Sequence, residues 1–116
     1  LSGWNYILDG HKPVPCPDIV KWGRWFENAD RQVAATDVGD ITVSTVFLAL
    51  DHNFTSNGPP VLFETMVFGG KFDGETLRCS TWEQAEKQHQ QVVALVIDNA
   101  PPTAKDDGKK VRKLKL

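Results

Sequence analysis

Residues 41–68, ITVSTVFLALDHNFTSNGPPVLFETMVF, hold two runs rich in β-branched and aromatic side chains on either side of a polar segment crowded with turn formers. Such runs favour extended backbone and the polar segment reverses the chain between them, so the stretch predicts a β-hairpin. Strand side chains alternate between faces. Ile41, Val43, Thr45, Phe47 and Ala49 therefore share one face of the first strand, and Thr42, Ser44, Val46, Leu48 and Leu50 the other. The second strand sets Val61, Phe63, Thr65 and Val67 against Leu62, Glu64, Met66 and Phe68. Glu64 apart, the loop-proximal half is apolar front and back, a pattern that requires cover on both sides.

The flanking segments read as that cover. WNYIL at 4–8 ends in Asp9-Gly10 and predicts a short strand, and the proline-rich HKPVPCP that follows predicts an extended connector. Cys16 stands at the expected helix N-cap, with Pro17 in the first helical position and Asp18 in the first turn. A helix then runs to about Ala29, with Ile19, Trp22, Phe26 and Ala29 as its apolar stripe and Trp25 off it. Gly23 on that stripe suggests close approach of another backbone or of a ligand. Arg31–Ala35 alternates weakly into the turn residues Asp37-Val38-Gly39-Asp40, which predicts a hairpin onto Ile41. Residues 69–74 form a glycine-rich loop, and Thr76–Cys79 a short strand. Ser80-Thr81-Trp82-Glu83 has the form of a capping box. The helix it opens carries Trp82, Ala85, His89, Val92, Val93 and Val96 on one face and ends near Asp98-Asn99.

These elements predict an α+β fold: an antiparallel sheet of four to five strands with two helices packed mainly on one face. At 116 residues the chain has room for one core, expected over residues 1–100. Residues 101–116 lack a packing pattern and are expected to be a disordered basic tail. The tail concentrates charge: residues 104–116 hold six basic and two acidic side chains, and residues 1–103 hold seven and thirteen. The acidic body argues against nucleic-acid binding except through the tail, because phosphate neutralisation supplies the non-specific affinity. No apolar run is long enough for a membrane span, and no secretion leader is evident. Two cysteines, Cys16 and Cys79, fit free structural thiols in a reducing cytoplasm.

The candidates for function cluster around loops. Asp51 and His52 stand at the mouth of the long hairpin loop, and Glu64 lies on the opposing strand. With His89 as a fourth group, they have the chemistry to ligate a metal or to exchange protons. A turn centred near Thr55-Ser56 places Glu64 opposite Phe47, below the mouth, so convergence is not required by the pattern. The plainer readings are an edge-strand charge for Glu64 and a hydrogen-bonded helix residue for His89. Asn53 begins an NFT glycosylation pattern, read as coincidence without a leader. Trp22, Trp25 and Trp82 would make an aromatic platform for a base or cyclic nucleotide, or more simply core. No cofactor motif is present.

The segments YILDGHKPVPC, WGRWFENADR, VSTVFLALDHNF, PPVLFETMVFGG and STWEQAEKQH resemble a group of small uncharacterised proteins of tailed bacteriophages and prophages, over roughly Tyr6–Val96. The resemblance implies the host cytoplasm during infection and an accessory role, without assigning an activity or site residues. The leading expectation is a non-enzymatic phage protein that binds a host protein or inhibits a host defence system. Its surface would join Asp51, His52, Asn53 and Phe54 of the long loop, Lys71 of the glycine-rich loop, Glu64 and an exposed Trp25. One alternative is an oligomer sequestering a small nucleotide signal with its aromatic rings and the hydroxyls of Thr42 and Ser44. Another is a small metal-dependent enzyme using Asp51, His52 and Glu64. The two-faced hairpin also predicts a homodimer or larger symmetric assembly.

Overall fold

Strand alternation and β-branched composition produce an antiparallel sheet, to which a separate two-stranded ribbon is added. The computed structural model describes residues 4–55, 57–100 and 112–114. The ribbon pairs β1 (Tyr6–Asp9) with β2 (Lys12–Pro15). After α1 (Ile19–Asn28) come β3 (Gln32–Val38), β4 (Ile41–Phe47), β5 (Phe63–Phe68) and β6 (Thr76–Cys79), then α2 (Trp82–Asn99) and β7 (Arg112–Leu114). The main sheet has the order β6-β5-β4-β3-β7. The expected α+β class, with both helices on one face, is what the chain adopts. The expectation of a disordered tail falls mostly outside the described residues; within it, Arg112–Leu114 pair antiparallel with β3.

Several local expectations are corrected. The proline-rich connector is itself a strand, because Pro13 and Pro15 pair with Leu8 and Tyr6 at positions whose backbone faces away from the ribbon partner. Tyr6 N–H donates instead to Ala49 O, while Cys16 N–H donates to Asn5 O, so the missing proline N–H groups leave no ladder bond unmade. Asp18, not Cys16, caps α1, its carboxylate accepting from the Val20 and Lys21 amides at 3.0 and 3.2 Å. The α2 box is one residue later than expected: Thr81 is the N-cap and Gln84 returns to its amide. Ile19 is 61 % exposed and leaves the α1 stripe to Trp22, Trp25 and Phe26. A methyl built on Gly23 meets nothing, so no close approach explains that glycine.

β4 ends at Phe47 rather than Leu50. Ala49, fully buried, has φ 65°, a left-handed conformation that breaks the strand and turns Leu50 toward a bridge with Asn5. A bulge between Gln32 and Ala34 explains the weak alternation of β3, and Val33 is fully buried there.

The helix-covered face is built in bands. At one end Val33, Phe47, Ala49, Leu62, Phe63, Trp82 and Ala85 form a core, completed by Trp22, Trp25 and Phe26 from α1. At the other, Val38, Ile41, Val43 and Val67 pack under Val92, Val93 and Val96. Between them lies a polar band of Thr36, Thr45, Thr65 and His89, all at most 2 % exposed.

The opposite face is less apolar than the hairpin pattern implies. Thr42 Oγ1 donates to Asp37 at 2.9 Å, Gln32 Nε2 donates to Ser44 Oγ at 3.1 Å, and Arg78 pairs with Glu64 at 3.0 Å. These cross-strand pairs satisfy each other in water's presence. Val46, Met66 and the 49 % exposed Phe68 remain as its apolar portion.

Candidate functional site

An antiparallel pair sends its successive loops to opposite ends, and that separates the expected surface into two. Residues 51–60 leave the Phe47 end of β4, whereas residues 69–74 leave the Phe68 end of β5, beside Asp40 and Ile41. Six strand residues lie between, about 20 Å at ~3.4 Å each. Lys71, whose ammonium lies 5.6 Å from the Phe72 ring centroid, therefore belongs to a different end from Asp51, His52, Asn53 and Phe54.

Glu64 also stands apart. It lies opposite Val46, not Phe47, and within the sheet rather than at an edge, because β6 pairs with β5. Its carboxylate meets Arg78 on the open face. Among the described residues no three His, Cys, Asp or Glu side chains come together in a way that holds a metal ion.

Trp25 is half-buried rather than exposed, meeting Phe47 edge-on with centroids 5.8 Å apart. Trp22 Nε1 donates to the Tyr6 and Ala49 carbonyls, both at 3.1 Å. Trp82 is buried, with Phe63 at its edge and His11 stacked on its face at 3.8 Å and 4°. The three indoles thus form no open platform, and the hydroxyls of Thr42 and Ser44 are already bonded within the sheet. Trp82 Nε1 is buried without a hydrogen-bond partner among the described residues. Burial pushes the Cys79 thiol above its ordinary range, partly offset by a backbone hydrogen bond at Thr81.

His89 bridges strands rather than reaching a loop. Thr36 Oγ1 lies 2.8 Å from Nε2 and Thr45 Oγ1 2.7 Å from Nδ1. Thr45 continues to Thr65 at 2.7 Å, and Gln88 Nε2 donates to Thr65 Oγ1 and to Leu77 O. A hydroxyl both donates and accepts, so the chain is satisfied whichever ring nitrogen carries the proton.

What the structure does bring together is the tip built by residues 51–60 and the chain entering β1. Asp51 turns inward: its carboxylate accepts from the Asn53 amide at 2.7 Å and, across the loop mouth, from the Val61 amide at 2.9 Å. The Asn53 amide group does the same for the loop interior. Its Nδ2 donates to the Asn57 and Pro59 carbonyls at 2.8 and 2.9 Å, and its Oδ1 accepts from the Thr55 amide and hydroxyl. With Nδ2 so placed, the glycosylation pattern is a loop-building residue here. Main-chain bonds from His52 N to Val61 O and from Asp51 N to Trp4 O, both 2.9 Å, close the base.

That scaffold leaves Phe54 72 % exposed. Trp4, 46 % exposed, lies 5.8 Å from it and His52 5.9 Å, so three rings crown the tip beside the outward Leu50. Leu50 O is only an acceptor, so His52 Nδ1, 2.8 Å away, donates to it. Residues 52–60 contain no Asp, Glu, Lys or Arg. Phe54 and His52 are legible as candidates from the sequence; Trp4 and Leu50 are not, because they reach the tip only through the fold, where Asn5 bridges Leu50 and Asp51 N–H donates to Trp4 O. Searches against family models, curated proteins and solved structures find nothing that matches this chain.

Proposed function

We propose that the protein acts by binding, and that the aromatic tip of residues 51–60 inserts into an apolar pocket on a partner protein. The carrying observation is the exposure of Phe54, 72 %, on a loop where the side chains of Asp51, Asn53 and Thr55 turn inward to fix its path. Large rings held in place before contact lose little conformational freedom on binding, and exposed aromatic clusters are where such energy concentrates. The resemblance to small phage proteins makes a host protein, including one of a defence system, the partner we favour. The low charge of the tip supports recognition by shape and apolar area rather than by electrostatic steering.

The test is a pulldown from host cells with the intact chain, with Phe54→Ala, and with Phe68→Ala on the open sheet face as control. Loss of a captured protein with Phe54→Ala, at a weakening of tenfold or more, and its retention with Phe68→Ala are expected. Capture that ignores Phe54 would remove this reading.

A further inference from the structure

Among the described residues β6 is an open edge of the sheet, while on the far side β3 is covered by β7. The carbonyls of Glu75 and Cys79 accept from the amides of Val67 and Leu62, so alternate residues of β6 face β5. Thr76 and Arg78 consequently turn their N–H and C=O groups outward. The side of this edge that faces α2 is mostly apolar: Leu77 is 55 % and Leu95 49 % exposed, beside a groove of about 210 Å³ floored by Val67, Phe72, Val92 and Val96, with Glu75 also in its lining.

We propose that this edge is a homodimerisation surface, two copies joining their β6 strands antiparallel about a two-fold axis at Leu77. Charge and apolarity select the same axis from those the strand offers. An axis at Arg78 sets two guanidinium side chains directly opposite, and like charges so placed are destabilising. An axis at Thr76 sets Leu77 against Glu75 of the second copy. The axis at Leu77 brings Leu77 to Leu77 as a narrow pair, at a Cα separation of ~4.5 Å, and lets Thr76 and Arg78 exchange main-chain hydrogen bonds with Arg78 and Thr76 of the second copy. Arg78 keeps its own Glu64.

The edge has two layers, strand and helix, and this favours a second copy over an isolated foreign strand. A lone strand would satisfy Thr76 and Arg78 but leave Leu95 in water. A second copy supplies an equivalent helix layer. The inference rests on the edge and not on the aromatic tip, so it stands or falls separately from the proposed function.

Light scattering on the full chain after size exclusion tests it, with a dimer mass expected. Thr76→Pro removes only an outward N–H and is compatible with the folded edge; Leu77→Lys places like charges at the axis. Each is expected to halve the mass with an unchanged circular dichroism spectrum, while Phe68→Lys on the open face leaves the dimer intact. If Thr76→Pro fails to fold, Leu77→Lys decides. A monomer for the parent chain, or a dimer that Leu77→Lys preserves, would overturn the proposal.

Discussion

His89 and Asn53 are both hubs of side-chain hydrogen bonds, but one is sealed under α2 and the other stands at the surface. His89, 2 % exposed, ties hydroxyls of β3 and β4 across the gap between two apolar clusters. Asn53 ties a loop to itself, bonding Thr55, Asn57 and Pro59 within its own sequence neighbourhood. The partners of His89 cannot turn to water when it is lost, whereas those of Asn53 can. The same kind of bond therefore serves the stability of the fold in one place and the shape of a surface in the other.

The strongest challenge to this contrast is His89→Ala. It leaves a cavity, strands the Thr36 hydroxyl and leaves Thr45 only its bond to Thr65, and is expected to lower stability by about 3 kcal/mol or more in urea unfolding. A loss below about 1 kcal/mol would mean that the polar band relaxes or takes up water. Asn53→Ala is expected to cost only about 1 kcal/mol, because solvent replaces the lost partners, yet to weaken partner capture as Phe54→Ala does. If capture were untouched, the loop would hold its shape without Asn53 and the contrast would fail at its surface end. Arg78→Ala, on the open face, is expected to have the least effect, about 0.2–1 kcal/mol and less with added salt, since its guanidinium is half in water. Chemical denaturation at two salt concentrations checks it.

Much of the fold was legible because periodicity reports burial. The α2 positions Trp82, Ala85, His89, Val92, Val93 and Val96 are all buried as their spacing implies. The α2 cap slipped by one residue because Ser80-Thr81 and Glu83-Gln84 offer two overlapping boxes, and composition does not choose between them. Prolines masked β2, since their tolerance depends on which way the backbone faces. A stripe through Ile19 puts Trp25 off the core, but the fold leaves Ile19 in solvent and turns Trp25 onto Phe47.

The site was legible as a loop but not as a geometry. Length and polarity marked residues 51–60, yet whether Asp51 faces solvent or the Val61 amide depends on the loop's path. The split between the two loops was available in principle, because neighbouring antiparallel strands run in opposite directions and their successive connections cannot share an end.

That split has a practical side. The turn at residues 69–74 is exposed at most positions and lies a full strand length from Phe54. A fluorophore or a short epitope grafted near Lys71 and Asp73 would travel with the molecule as a reporter, leaving the far end free to meet whatever it recognises.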